Sequence, residues 1–315
     1  MLTWQPPGDQ PSAETVWIDL LSPTEAELRQ IEAHTGYRLP TLEDLSAIER
    51  SSQLIVEGQQ LRLSCPVIAD ADTDHPSVSH VGMILTPKLL VTVRFTALKA
   101  FEATIARVCP PGHPADAVEI LTALLEAFVD RQADLLEKAR EQLVEISHGV
   151  FRASPQQLRK VSRSNEQLRA LLRRLGGIGE RISIIRDGML GVGRIAGFAQ
   201  ENAKAWITPE FLTRLHAVGL DIDSLNLFEE HLSNKVQFLL DAIVGFIGIE
   251  QNDIFKVLTV FSVVGIFPTL VAGWYGMNFH NMPEYGWAYG YQFGIGAIVL
   301  STIIPLAWFK WRGWL

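Results

Sequence analysis

Eleven residues between positions 241 and 276 share one line along a predicted helix, because their spacing alternates between four and three residues. Eight of them are glycine or uncharged polar residues, although the neighbouring positions are strongly apolar. We name this line the polar seam, and its members are Asp241, Gly245, Gly248, Asn252, Phe255, Thr259, Ser262, Ile266, Thr269, Gly273 and Gly276. Side chains of this kind could either pack closely against another helix or line a path for water and ions.

Asp241 and Asn252 favour the second explanation, because charged and amide groups within a membrane span usually face an aqueous path. We therefore interpret the polar seam as the lining of a pore. Phe255 and Ile266 interrupt the polar series, and we expect them to form apolar constrictions that gate the pore by excluding water.

A short polar loop follows the seam and begins with Tyr275-Gly276-Met277-Asn278. It separates two runs without charged residues, 257–274 and 285–309. Each run is long enough to cross a hydrocarbon core of roughly 30 Å at about 1.5 Å per residue. An amide-bearing loop between two spans is typical of a transporter rather than of a soluble enzyme.

Two spans per chain cannot enclose a path, so a pore requires a ring of identical chains. The basic residues predict the orientation, since the loop at 276–284 has no Lys or Arg. Basic residues flank the spans on the other side, and such flanks stay in the cytoplasm. We expect both termini inside and the loop outside.

The part before the spans is predicted to be mixed. Residues 14–110 read as an α/β domain in which Ser22 caps a helix with Pro23 at its first position, and Thr41 opens another. A strand is predicted at 16–20, and a four-stranded antiparallel core is predicted from 54–57, 61–68, 79–85 and 89–95. A polar turn at 70–75 is interpreted as a solvated hairpin loop, and contact with a metal is the alternative.

Helical periodicity begins near residue 115. Residues 115–150 carry an apolar face and an acidic stripe, which reads either as a solvated face or as a surface that attracts divalent cations. The stripe consists of Glu126, Asp130, Asp134, Glu137, Glu141 and Glu145. We next expect a basic helix from Ser154 to Gly177 and a third helix from 178 to 204. A further helix is expected to start at Thr208-Pro209 and to continue into the first span.

Charge and cysteine content exclude several classes. Residues 1–253 carry about 24 basic and 34 acidic side chains, and this acidic balance argues against nucleic-acid binding and favours cation binding. Cys65 and Cys109 lack the spacing of metal ligands, so free thiols are expected. Gly188, Gly191 and Gly193 resemble a phosphate loop only superficially, and we expect no nucleotide site and no enzymatic centre.

The loop and its flanks resemble the CorA magnesium-transporter family. The resemblance rests on Gly276-Met277-Asn278 followed by Met282-Pro283-Glu284, on Ile249-Glu250-Gln251-Asn252 upstream, and on the basic Trp-Leu end at 309–315. It extends weakly to Trp17-Ile18-Asp19-Leu20 and so covers essentially the whole chain.

This resemblance implies a cyclic homopentamer in the bacterial inner membrane that passes Mg²⁺, and also Co²⁺ and Ni²⁺, into the cell. It implies an α+β cytoplasmic funnel domain, a long stalk helix and two C-terminal transmembrane helices, with Mg²⁺ as transported and regulatory ion and no organic cofactor. The path would use Gly276, Met277 and Asn278 for selectivity, Phe255, Leu258 and Ile266 as gate, and Asp241, Asn252, Thr259, Ser262 and Thr269 as lining. Closure would follow when cytoplasmic Mg²⁺ binds between protomers, for which the candidate ligands are Asp130, Asp134, Glu137, Asp221 and Asp223.

Three positions depart from the family pattern. His280 stands where Glu is frequent, Phe255 is bulkier than the usual gate residue, and only Lys310 and Arg312 make the tail basic. A ZntB-like Zn²⁺ transporter of the same superfamily and a non-conducting membrane scaffold are the alternatives. The residues leave the choice among Mg²⁺, Co²⁺, Ni²⁺ and Zn²⁺ open.

Six segments follow from this interpretation. They are an N-terminal α/β cytoplasmic domain (1–115), a helical hairpin with a third helix (116–207), a stalk helix (208–275) whose first span is about 255–275, a periplasmic loop (276–287), a second span (288–309) and a basic cytoplasmic tail (310–315).

Overall fold

The structure is a computed structural model, and it describes residues 2–6, 11–12, 14–46, 54–69, 77–110, 115–151, 165–277 and 282–314. The chain divides into two compact units. The first comprises Met1–Arg152 and Arg169–Leu239, and the second comprises Ala153–Leu168 and Leu240–Leu315.

The first unit contains a six-stranded mixed sheet with strand order β1-β2-β6-β5-β4-β3. The strands are β1 (Leu2–Gln5), β2 (Trp17–Leu21), β3 (Leu54–Glu57), β4 (Gln60–Ala69), β5 (Ser77–Leu85) and β6 (Leu90–Arg94). The four strands β3 to β6 form the predicted antiparallel core. The predicted strand at 16–20 is β2, which pairs with β6 in parallel. The sequence analysis missed β1, which pairs with β2 antiparallel. The polar turn predicted at 70–75 lies outside the described residues.

The two faces of the sheet bury different kinds of side chain. On one face, Ile18, Leu20, Val91 and Val93 pack with Ile31 of α1 (Glu25–Thr35) in an apolar core.

The other face carries a buried ion pair between Asp19 and Arg94, whose side chains are 5% and 10% exposed. The guanidinium of Arg94 lies 4.2 Å above the ring of Phe101, in α3 (Lys99–Val108), and Thr92 donates a hydrogen bond of 2.7 Å to Asp19. The carboxylate and the guanidinium are therefore both paired within the core, as buried charges require.

The first helix begins at a different cap from the one expected. Thr24, not Ser22, is the N-cap, and Pro23 lies before the helix. The Thr24 side chain accepts from the backbone of Glu27, whose carboxylate accepts from the backbone of Thr24. This reciprocal arrangement satisfies two backbone amide groups, so it stabilises the helix start more than a single serine cap would. The helix α2 (Leu42–Ser46) starts at Thr41 as predicted, with Asp44 completing the same arrangement.

Two long helices cover the sheet, and the first of them, α4 (Ala117–Phe151), buries the predicted apolar face. The predicted break at Gly176-Gly177 is wrong, because α5 (Asn165–Asn202) runs through both glycines. Each glycine costs about 1 kcal/mol in a helix, and the fully buried side chains of Leu175 and Ile178 on either side offset that cost. The predicted start at Ser154 lies outside the described residues.

The glycines of α5 that resembled a phosphate loop serve close packing. A Cβ atom on Gly191 would lie 2.8 Å from the Cβ of Cys65 and from the Cδ of Pro66, both on β4. A Cβ atom on Gly188 would lie 2.8 Å from the side-chain nitrogen of Gln132 on α4. Their missing side chains thus let α5 approach the sheet and α4.

The helix α6 (Pro209–Tyr275) is continuous over 67 residues, as predicted from Thr208-Pro209, and Gly219 does not interrupt it. A short 3₁₀ turn (Pro283–Gly286) precedes α7 (Gly290–Trp311). Gly313, with φ of 71°, follows α7 in the left-handed conformation. The amides of Gly313 and Trp314 donate to the carbonyls of Lys310 and Phe309, and the Trp314 ring stacks on Phe309.

Candidate ion path

Within the first unit, the N-terminal part of α6 is joined to the other helices through Glu126 of α4. The Nε and Nη2 atoms of Arg214 each lie 2.9 Å from a carboxylate oxygen of Glu126, and Arg107 of α3 pairs with the same carboxylate. Burial of Glu126 opposes its ionisation, but the hydrogen bonds from Arg214 and Arg107 outweigh it and hold the pKa of Glu126 below its ordinary value. One ionised carboxylate thus joins α3, α4 and α6.

All eleven members of the polar seam are exposed in the single chain. At Gly245, Gly248 and Gly273, an added Cβ atom would meet nothing within 4 Å. At these three positions the seam therefore does not pack against another described part of its own chain. A face of small and polar residues that its own chain leaves uncovered is available to other copies or to water.

The hydroxyl groups of the seam all use their protons within the helix. Thr259, Ser262 and Thr269 donate to the backbone carbonyls of Phe255, Leu258 and Gly265 at 2.7, 2.9 and 2.8 Å. The oxygen atoms then present only lone pairs to the surroundings. Such a surface accepts hydrogen bonds, which suits the outward-pointing hydrogens of a hydrated cation.

The three predicted gate residues are also exposed, and they divide the hydroxyl-bearing positions. Phe255 and Leu258 lie one turn apart before Thr259, and Ile266 lies between Ser262 and Thr269. Their exposed fractions are 65%, 58% and 55%. Large apolar side chains at these points would meet those of neighbouring chains if several copies shared an axis.

The described part of the loop is short. Gly276 ends α6 with its amide bonded to the carbonyl of Ala272, and Met277 is 44% exposed. Asn278 and His280 lie outside the described residues. Beyond them, Trp287 packs edge-to-face on Phe293, with ring centres 5.7 Å apart, and this contact ties the loop to α7.

The predicted regulatory acids do not meet within one chain. Asp130, Asp134 and Glu137 are exposed on α4, and Asp221 and Asp223 are exposed on α6. Over the ranges that the structure describes, no three His, Cys, Asp or Glu residues are grouped to hold a metal.

Arginines neutralise half of the acidic stripe. Glu126 pairs as described above, Glu137 pairs with Arg140, and Glu145 pairs with Arg174. The last pair links α4 to α5. A shared metal site on the remaining acids would require a second chain.

Two helices meet the length and composition of membrane spans, namely α6 near its end and α7. In each, only 6% of the most apolar stretch is buried within the chain. A soluble protein would bury such a helix in its core, so this exposure favours a lipid surrounding.

A model of the CorA-like Mg²⁺ transporter proteins matches residues 12–311. The chain belongs to this family. It is 30% identical over 307 residues to the magnesium transport protein CorA of Escherichia coli (strain K12), which covers 97% of this chain and 94% of that protein. Its fold is similar to that of the complete CorA magnesium transporter from Methanocaldococcus jannaschii, with a TM-score of 0.78 and 17% identity over 98% of this chain and 95% of that one.

Another solved structure has a more distantly similar fold. The cytoplasmic domain of ZntB from Vibrio parahaemolyticus matches 73% of this chain and 86% of that one, with a TM-score of 0.50 and 13% identity. That likeness concerns the fold. Membership of the CorA-like family confirms the resemblance drawn from the loop, and its members are ion transporters rather than enzymes.

Sequence reasoning missed the residues that attach α6 to the first unit. Arg214 and Glu126 are separated by 88 positions, and only Glu126 was singled out, as one of six stripe acids. The helical spacing that predicted the stripe carries no information about which partner each acid meets across the fold.

Proposed function

We propose that the protein is a homopentameric channel for Mg²⁺ in the inner membrane, with the polar seam of each α6 facing the common axis and both termini in the cytoplasm. The observation that carries the proposal is the uncovered seam, in which Thr259, Ser262 and Thr269 offer only hydrogen-bond acceptors. The family membership supplies the transported ion.

The chemistry of the seam matches the hydrated ion. Mg²⁺ gives up its water shell reluctantly, and its bound waters point their hydrogens outward. Rings of amide, hydroxyl and carbonyl oxygens accept those hydrogens without removing water. In this proposal Asn278 and the Gly276 carbonyl form the first ring, and Asn252 and Asp241 form later ones.

The gate and its control follow from the same arrangement. Rings of Phe255, Leu258 and Ile266 narrow the path and close it by excluding water. Cytoplasmic Mg²⁺ bound between protomers favours the closed ring, and Asp130, Asp134, Glu137, Asp221 and Asp223 are its candidate ligands because they are exposed. Loss of that ion lets the acidic subunits separate.

The membrane potential provides the driving force. A divalent cation gains about 4.6 kcal/mol on moving inward through 100 mV, twice the value for one charge. This energy corresponds to a concentration ratio of more than about a thousand.

The test is Mg²⁺ uptake into proteoliposomes that contain the purified full-length protein and an internal Mg²⁺ indicator. Uptake should rise with an inside-negative potential and fall when the potential is collapsed. Asn278→Ala should abolish uptake, whereas Gln292→Ala should retain it, because that exposed amide belongs to α7 and not to the seam. Normal uptake by Asn278→Ala would refute the selectivity ring, and absence of uptake by the parent would refute the function.

The same vesicles distinguish the other cations. Co²⁺ and Ni²⁺ are expected to enter by the same route. Zn²⁺ uptake without Mg²⁺ uptake would favour the ZntB-like alternative, which has the fold similarity described above in its support.

A further inference from the structure

The spacing of the polar seam continues towards the N-terminus of α6. Steps of three and four residues from Asp241 lead without interruption along the helix. The positions reached are Phe238, Asn234, His231, Leu227, Ser224 and Leu220, and all six are exposed. We name this stretch the lower seam.

Around His231 the lower seam lies away from the residues with which α6 packs into the first unit, whereas Phe238 at its C-terminal end stacks on Phe151 of α4 with ring centres 5.5 Å apart. The packed residues include Ile222, Leu232 and Leu239, each at most 3% exposed. Leu227, one turn before His231, is 71% exposed, so the first unit leaves the helix open at this level. A large apolar residue on an open face of a long helix indicates that other copies of the chain surround it.

His231 adds a ligand type that the polar seam from Asp241 to Gly276 lacks. The seam from Asp241 to Gly276 offers oxygen atoms, which suit Mg²⁺. Imidazole nitrogen instead suits Zn²⁺, Ni²⁺ and Co²⁺. One histidine per chain cannot hold a metal, but three or four converging imidazoles satisfy the coordination of Zn²⁺.

We propose that His231 side chains from neighbouring copies form a transition-metal site in the ion path, and that Zn²⁺ bound there slows Mg²⁺ flux. The proposal rests on the proposed function, since it needs several copies around an axis. Asn234, one turn further along, is also exposed and carries an amide oxygen. Mg²⁺ keeps its bound water molecules as it passes such a ring, whereas Zn²⁺ exchanges bound water for imidazole nitrogen and is retained.

The experiment uses full-length protein purified without a polyhistidine tag. Mg²⁺ uptake into proteoliposomes is measured across a Zn²⁺ titration, and each variant is normalised to its own uptake without Zn²⁺. His231→Ala and His231→Asn should raise the half-inhibitory Zn²⁺ concentration at least tenfold, because loss of even supporting groups costs 10–100-fold in metal affinity. His34→Ala is the matched control, since His34 is exposed on α1, and its inhibition should equal that of the parent.

A second measurement is independent of transport. Co²⁺ added to the detergent-solubilised protein should give an absorption band of nitrogen-coordinated metal, with less than one ion per chain, and both His231 variants should lose it. Equal Zn²⁺ inhibition in the parent and both variants, or an unchanged Co²⁺ band, would overturn the His231 site. If the parent shows no Mg²⁺ uptake without Zn²⁺ but the band depends on His231, the channel function fails and the metal site stands.

Discussion

Replacement of Glu126 by Gln tests how the N-terminal part of α6 is held to α3 and α4 within the first unit. The carboxylate accepts two hydrogen bonds of 2.9 Å from Arg214 and pairs with Arg107. Glutamine keeps the shape and one acceptor, but it loses the charge and turns an amide group towards a guanidinium.

The expected loss follows from exposure and geometry. A hydrogen bond to a charged group contributes about 1.5–3 kcal/mol when it is protected from water. Glu126 and Arg214 are 24% and 27% exposed, so we take the lower part of that range, whereas Arg107 is half-exposed and adds little. The total is about 2 kcal/mol, or roughly 4–8 °C in Tm for a unit of this size.

The assay is thermal unfolding of the full-length protein in detergent, followed by circular dichroism. Glu137→Gln is the matched control, because Glu137 lies on the same helix and its pair with Arg140 is 61% and 49% exposed. That variant should change Tm by less than about 2 °C. A Glu126→Gln protein that melts with the parent would refute the attachment role.

The effect also has a defined pH dependence. Since the folded protein holds the pKa of Glu126 below its ordinary value, the stabilisation is complete above the unfolded pKa of about 4.3 and is lost as pH falls through the folded value. The difference in Tm between parent and variant should therefore be constant from about pH 6 to 8 and should shrink below about pH 4. A difference that grows on acidification would contradict this assignment.

Three further outcomes are expected. Gly191→Ala should lower Tm, because its Cβ would lie 2.8 Å from the Cβ of Cys65 and overpacking costs about 1–3 kcal/mol. The control Gly197→Ala on the same helix should leave Tm equal or higher, since its Cβ meets nothing within 4 Å. Equal Tm values for the two variants would refute the close contact. Phe255→Gly should increase Mg²⁺ leak into proteoliposomes at high internal Mg²⁺, and tight closure in that variant would move the gate elsewhere. Cys65 should resist alkylation at pH 8 in the folded protein, because burial raises the pKa of its thiol to about 12, and mass spectrometry that finds it modified would contradict its burial.

Periodic patterns in the sequence predicted the parts of the fold that depend on local spacing. The heptad steps of the seam, the apolar face of α4 and the charge-free spans each repeat many times, so single exceptions do not hide them. The caps at Thr24 and Thr41 are local as well. Thr24 is followed by Glu27, a capping-box pattern visible in the sequence, but the adjacent Ser22-Pro23 pattern competed with it.

Contacts between distant residues could not be predicted in this way. The parallel pairing of β2 with β6 joins residues more than 70 positions apart, and β1 is only four residues long. The partners of Asp19 and Glu126 are likewise fixed by the fold and not by spacing. For the candidate path, the sequence showed which residues share a line, whereas the direction of each hydroxyl proton required the structure.

The division of α6 between the two units has a consequence for biosynthesis. The first unit takes its last residues from α6, up to Leu239, and the charge-free run starts at Val257. A ribosome adding about 5–20 residues per second covers that interval in roughly 1–4 s. The chain of the first unit is therefore complete shortly before the span leaves the ribosome, and the same helix that closes the first unit's core then delivers the span to the insertion machinery.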